Sequence, residues 1–161
     1  MPRRGPTLGD PTDFSYRINK VTKIIYGDTI DVILDLGFDI LHKSRVRLFG
    51  IDTPESRTRD KVEKKFGLAS KARLKELMPI GSMQILKTQI DKSGEDKKGK
   101  FGRILGDFII PDDDTLTTTM VTTIMMNEGY AVAYHGQNKD EIEQAHLNNR
   151  ERLIEEGKVK I

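Results

Sequence analysis

Apolar and polar residues alternate in the first part of the chain, as they do in half-buried β-strands. The stretch from Tyr16 to Tyr26 is rich in β-branched and aromatic residues, and Gly27-Asp28 interrupts it. After this interruption, Ile30, Val32 and Leu34 alternate with polar positions. The pattern therefore predicts two strands joined by a tight turn.

The alternation resumes between Ile40 and Ile51 and predicts a third strand. Val46 and Leu48 fall on one face of this strand, and Arg45 and Arg47 fall on the other. Two further strands are predicted near residues 83–90 and 103–110, separated by a charged, glycine-containing loop that we expect to be exposed.

Helical periodicity appears in three places. Val62, Phe66, Ala69 and Ala72 recur at helical spacing before Pro79. Residues 116–127 read as a second helix, although their threonines make it weak on propensity alone. A third helix should begin at residue 138, where an asparagine precedes a glutamate by three positions, and should end before residue 157.

Five short strands with a helix between the third and the fourth are typical of a Greek-key barrel. The expected fold class is α+β: a five-stranded OB-fold β-barrel with three helices. We predict a single domain over residues 15–161, after a flexible leader of residues 1–14 that contains three prolines and two glycines.

The amino-acid composition excludes several kinds of site chemistry. The chain has no cysteine, which excludes disulfides, thiolate metal sites and a cysteine nucleophile. Its net charge of +2 is compatible with a polyanionic partner but does not require one. No apolar stretch predicts a membrane span or a signal peptide, so we expect a cytoplasmic protein as the sequence is given, or a secreted one if a leader was removed.

One segment, Arg47 to Glu55, carries the strongest chemical signal. An arginine on a strand precedes the carboxylate of Asp52 by five residues, and the carboxylate of Glu55 follows three residues later. Asp28, in the first turn, and Arg103 would complete a site if the barrel brings these strand ends together.

Three segments resemble the signature motifs of the staphylococcal nuclease family, in the family's order and with similar spacing: Gly27-Asp28-Thr29, Arg47 to Glu55, and Phe101-Gly102-Arg103. The resemblance extends from about Val21 to Tyr134. It implies an OB-fold barrel that binds Ca²⁺. It also implies hydrolysis of DNA and RNA phosphodiester bonds with little sequence preference, leaving 3′-phosphates, by a chain that we expect to be monomeric.

The resemblance implies a role for each matching position. Asp28 and Asp52 would bind the calcium ion together with the main-chain carbonyl of Thr53, because this hard cation prefers oxygen ligands. Glu55 would orient and deprotonate the attacking water.

The same resemblance implies that Arg47 and Arg103 hold the phosphate oxygens in the transition state, for which a planar guanidinium is well suited. Lys100 and Tyr134 would lie near a terminal phosphate or base of the bound nucleotide.

The sequence departs from the family pattern at three positions. Tyr26 replaces an acidic residue, Phe101 replaces a tyrosine, and Gly136 stands where a second aromatic residue is expected. The first departure removes one carboxylate from the neighbourhood of the metal. A second hypothesis is therefore a catalytically weak or inactive OB-fold module that binds single-stranded nucleic acid.

Other interpretations remain open from the residues alone. Asp28 has the position of an ordinary turn residue, and the two acidic residues after the third strand have positions that suit a helix N-terminus. Asp52 with Glu63 and Lys65 has the spacing of a restriction-type nuclease, but that arrangement needs the latter two on a strand. None of the histidines, His42, His135 and His146, has metal-ligand spacing, so we expect all three on the surface.

Overall fold

A computed structural model gives the structure of residues 14–82, 84–89, 95–99, 102–111 and 118–161. The strands are β1 (Phe14–Tyr26), β2 (Thr29–Asp35), β3 (Leu41–Leu48), β4 (Ile51–Asp52), β5 (Ile85–Thr88), β6 (Ile104–Pro111), β7 (Thr118–Met120) and β8 (Val132–Ala133). The helices are α1 (Lys61–Leu77), α2 (Val121–Asn127) and α3 (Lys139–Glu155). The predicted leader lies outside the described residues except for Phe14, which begins β1, and Lys100 also lies outside them.

Five of the strands close into a mixed barrel. Their order is β3-β2-β1-β5-β6, and all of these neighbours are antiparallel. The barrel closes where β3 runs parallel to β6, with Val46 opposite Ile104 and Leu48 opposite Gly106. This arrangement, with the three helices, confirms the predicted OB-fold class.

The predicted alternation determines which residues fill the barrel. Ile30, Val32 and Leu34 of β2 are all buried, as are Val46 and Leu48 of β3. They belong to one continuous apolar cluster with β1, β5 and β6. Because side chains alternate across a strand, Arg45 and Arg47 of β3 face away from this core and are available for other contacts.

The start of α2 differs from the prediction. Thr118 to Met120 form β7, which pairs with the end of β6, and the helix begins only at Val121. Threonine is β-branched and suits a strand better than a helix. Asp107 of β6 fixes the start of the helix, because its carboxylate accepts hydrogen bonds from the backbone amide of Thr122, at 3.2 Å, and from the Thr122 hydroxyl.

The other two helices form as predicted, but the buried face of α1 is different. Val62 and Ala72 are exposed, whereas Gly67, Ser70 and Leu74 are buried. Hydrophobic periodicity missed this face because two of its members are small and nonhydrophobic. In the described part of the chain, no helix is long and apolar enough to cross a membrane.

Two short strands connect the barrel with α3. In β4, Ile51 pairs with Ala133 and Asp52 pairs with Val132 of β8. Because α3 begins six residues after β8, this pairing brings the third helix close to the end of the Arg47 to Glu55 segment. The sequence pattern did not predict either strand, since two-residue strands carry no periodicity.

Candidate functional site

The turn after β1 places Asp28 beside the segment that follows β4. The hydroxyl of Thr29 donates a hydrogen bond to Asp28 Oδ1 at 2.9 Å, and the hydroxyl of Thr53 donates to Asp28 Oδ2 at 3.2 Å. Thr53 is buried, so this second contact is shielded from water. The carboxylate of Asp28 is therefore held from both sides in one orientation.

Arg47 lies next to this carboxylate. Its Nη2 atom is 3.3 Å from Asp28 Oδ2, and its side chain is 19% exposed. The same guanidinium donates hydrogen bonds to the backbone carbonyls of Leu48 and Ile51, the latter at 3.0 Å. Because these contacts use several of its donors, the planar group is fixed against the turn between β3 and β4.

A concave surface joins Arg47 to Arg103. Both arginines line a cavity of about 520 Å³, to which Phe49 and Tyr134 also contribute. The backbone amide of Tyr134 donates to the carbonyl of Gly50 at 2.8 Å, which fixes the tyrosine beside the turn that Arg47 supports. The fold thus brings together three predicted site residues that are far apart in sequence.

Helix α1 packs its backbone directly against the segment that carries Glu55. A Cβ atom added at Gly67 would lie 2.3 Å from the carbonyl oxygen of Glu55, closer than any real contact allows. The helix also approaches the first turn, since a Cβ at Gly27 would lie 2.8 Å from Cβ of Ser70. These small residues allow one helix to fix both the turn of Asp28 and the segment of Glu55.

The electrostatics of Glu55 indicate an excess of negative charge. Although the residue is exposed over much of its surface, partial burial is the first cause that raises the pKa of its carboxyl above the ordinary value. The charges of Asp28, Glu63 and Asp52 raise this pKa further, whereas Arg47 lowers it. The carboxylates are therefore close enough to repel one another, and a cation among them would relieve that repulsion.

Asp52 has a partner that sequence reasoning missed. Nε2 of His146, on α3, is 2.8 Å from Asp52 Oδ2, and the histidine side chain is only 13% exposed. The surface position expected for His146 is therefore wrong, whereas His42 and His135 are exposed as predicted. The contact joins residues 94 positions apart, and no local pattern of sequence indicates it.

Comparison with protein families adds an independent observation to the geometry of this site. A family model described as staphylococcal nuclease homologue matches residues 45–161. The chain belongs to the staphylococcal nuclease family. The predicted resemblance is thus confirmed, and membership in this family supports a nuclease function with nucleic acid as the substrate. A comparison with curated proteins gives no significant match.

The family match begins at Arg45, so it includes the Arg47 to Glu55 segment but not the first turn. In this structure, Asp28 is associated with the nuclease motifs through its contacts with Arg47 and Thr53. In contrast, Glu63 and Lys65 lie on α1. The strand that a restriction-type arrangement would need at these two residues is therefore not present.

The donor set fits a hard cation by its chemistry. Asp28, Asp52 and Glu55 provide carboxylate oxygens and Thr53 provides a carbonyl, which are the ligand types that Ca²⁺ prefers. Among the residues that the structure describes, no three histidine, aspartate or glutamate side chains are already grouped to hold a metal ion. The individual ligand roles therefore stay predictions.

Proposed function

We propose that this protein is a calcium-dependent endonuclease that hydrolyses DNA and RNA with little sequence preference and leaves 3′-phosphates. The observation that carries the proposal is the shared cavity of Arg47 and Arg103, beside which Arg47 contacts the carboxylate of Asp28. Two positive groups that share one cavity, one of them fixed beside a carboxylate, suit a phosphodiester that must be bound and attacked in one place.

The arginines account for substrate binding and for transition-state stabilisation. A guanidinium offers N–H donors to phosphate oxygens and stays charged at any working pH. Since Arg47 and Arg103 recognise the phosphate rather than base edges, little sequence preference follows. The half-exposed ring of Tyr134 lines the same cavity and offers a surface for a base or sugar. For Lys100, a role near a terminal phosphate rests on the family resemblance alone.

Glu55 is the proposed general base. Its carboxylate takes a proton from the attacking water, the new P–O bond forms, and the bond from phosphorus to the 5′-oxygen breaks. Release of the 5′-oxygen leaves the phosphate on the 3′ side. Arg47 and Arg103 stabilise the negative charge that builds on the five-coordinate phosphorus. The location of Glu55 beside α1, within the electrostatic reach of Asp28 and Asp52, supports this assignment.

The proposed ligands of the calcium ion are the side chains of Asp28 and Asp52 and the main-chain carbonyl of Thr53. A bound calcium ion would supply a Lewis acid that polarises a phosphoryl oxygen. Tyr26 supplies no carboxylate here, and the guanidinium of Arg57 lies over its ring at 5.6 Å. We therefore propose that this ion is held by fewer acidic groups than the family pattern provides.

The test is hydrolysis of labelled single-stranded DNA and RNA in calcium and in chelator, with analysis of the product ends. We expect calcium-dependent cleavage that leaves 3′-phosphates, and we expect Glu55→Gln to lower the rate by about 10²–10⁴-fold, the range for loss of a general base. Glu63→Gln is the matched control, because it removes a nearby negative charge without removing the base.

Two results would contradict the proposal. Wild-type protein that shows no calcium-dependent cleavage would exclude the activity, and full activity in Glu55→Gln would exclude the assigned base. Tight binding of single-stranded nucleic acid without cleavage in any divalent cation would instead support the inactive binding module.

A further inference from the structure

The contact between α3 and Asp52 has a consequence for the cation. We propose that His146 is a positioning residue that holds Asp52 in the orientation needed to bind calcium, an inference that rests on the proposed function. The contact is short, at 2.8 Å, and both its members belong to the cleft between α1 and α3. Asp52 is a proposed ligand of the ion, so whatever fixes its carboxylate also determines the affinity of the site.

The direction of this hydrogen bond follows from its chemistry. An ionised carboxylate only accepts hydrogen bonds, so Nε2 of His146 must carry the hydrogen that is donated to Asp52 Oδ2. In the part of the chain that the structure describes, Nδ1 of the same ring is buried and has no hydrogen-bond partner. A hydrogen on Nδ1 would be a buried, unsatisfied donor, and the tautomer with its hydrogen on Nε2 avoids this cost.

The surroundings explain why Asp52 needs such a donor. It ends a two-residue strand, and its side chain is 36% exposed. A partly exposed carboxylate on so short a strand can occupy more than one rotamer unless a partner selects one. The cleft contains the carboxylates of Glu55, Glu63 and Glu143 as well as the cationic side chains of Lys139 and Arg150, so charges of both signs surround Asp52. The short, directional contact with the imidazole N–H keeps one oxygen of Asp52 in a defined place.

The fold supplies the histidine from a helix that is itself fixed near the site. Pairing of Asp52 with Val132 ties β4 to β8, and α3 starts shortly after β8. Near the middle of α3, the side-chain amide of Asn149 donates to the carbonyl of Ala131 at 3.2 Å. His146 is thus presented from a helix that is anchored on the same short sheet as its acceptor.

Calcium affinity, measured by titration calorimetry, tests this role without relying on activity. We expect His146→Ala to weaken calcium binding by about 10–100-fold, the range for loss of a partner of a metal ligand. His146→Gln should retain most of the affinity because its amide N–H can donate to the same oxygen. His146→Leu removes the donor but keeps the volume, so it replaces the alanine variant if that variant does not fold. The matched control, His42→Ala, removes an exposed histidine and should bind calcium as the wild type does.

Kinetics separate positioning from a purely structural role. The donor-less variants should need 10–100-fold more calcium for half-maximal rate but keep most of kcat at saturating calcium. Calcium affinity equal to wild type in both His146→Ala and His146→Leu would overturn the role of His146 and leave the proposed function intact. Wild-type protein that binds no calcium would overturn the proposed cation, and the role of His146 with it.

Discussion

The two aspartates of the site are held in different ways. Around Asp28, two of the partners, Thr29 and Arg47, lie on the barrel strands β2 and β3, and the third, Thr53, directly follows β4. Asp52, in contrast, is held by His146 of α3, 94 positions along the chain. One acidic position is therefore held mainly by residues of the barrel, whereas the other depends on the docking of the last helix.

The barrel and α3 also differ in the amount of apolar surface that they bury. The barrel residues share one large buried cluster, whereas α3 packs through Leu153, which forms a small separate cluster with Phe66 and Val159. Stabilisation by apolar burial is proportional to the area buried, so the helix has less of it than the barrel does. We therefore expect the helix side of the site, which is Asp52 with His146, to open locally at a lower free energy than the barrel side, which is Asp28 with Arg47.

The largest effect should come from the barrel side. Arg47→Ala removes a proposed phosphate ligand together with the support of the turn after β3, so we expect kcat to fall by about 10²–10³-fold, as for loss of one strong oxyanion donor. Steady-state cleavage of single-stranded DNA at saturating calcium measures this effect.

The matched control is Arg45→Ala, two residues earlier on the same strand. Arg45 is half-exposed and pairs with Asp31 at 2.8 Å on the outer surface of the barrel. Such an exposed pair contributes about 1 kcal/mol or less, so stability should change little and activity should remain. Equal losses of activity in the two variants would show that charge on β3, rather than the position of Arg47, determines the rate.

The contrast between barrel and helix also explains what the sequence could predict. The alternation on β2 and β3 is a local signal with a period of two, and it correctly predicted the strands and the residues that fill the barrel. The site motifs could be recognised because they lie at strand ends in a known order. The site contacts that were missed depend on long-range packing, which leaves no local period.

Two residues illustrate this limit. Nothing near His146 distinguishes it from an ordinary polar position on a helix, because its partner is 94 positions away. Gly67 carries a faint signal, since a glycine inside a helical pattern often marks a close approach. That signal does not say which segment approaches, and only the fold shows it to be the backbone of Glu55.

The Gly67→Ala substitution tests whether α1 fixes the Glu55 segment. In an ordinary helix this change would stabilise the protein by about 1 kcal/mol, because alanine is the better helix former. Here the added Cβ would overlap the carbonyl of Glu55, which is backbone and cannot rotate away. We expect net destabilisation of about 1–3 kcal/mol in urea unfolding, and a lower kcat because the Glu55 segment is displaced.

Leu68→Ala is a suitable control for this experiment. Leu68 is the next residue of α1 and is 46% exposed, so its change should stay within about 0.5 kcal/mol. A stabilised Gly67→Ala variant with full activity would show that α1 has room to move and does not fix the Glu55 segment.

The variant with the smallest expected effect, Thr53→Val, allows a direct comparison of the two aspartates. Thr53→Val removes the hydroxyl that donates to Asp28 but keeps the β-branched shape and the main-chain carbonyl proposed as a calcium ligand. Asp28 retains its contacts with Thr29 and Arg47, so the loss is that of one hydrogen bond among several. We expect calcium affinity to fall by roughly fivefold, about 1 kcal/mol, in titration calorimetry. This is less than the loss expected for His146→Ala.

Thr22→Val provides the background for that comparison, since it removes an exposed hydroxyl of β1 that donates to the carbonyl of Asp31. It should not change calcium affinity. If Thr53→Val weakened calcium binding more than His146→Ala does, the expected order of the two effects would be reversed. Asp28 would then be the aspartate whose orientation relies on a single donor, and the docking of α3 would not limit the affinity of the site.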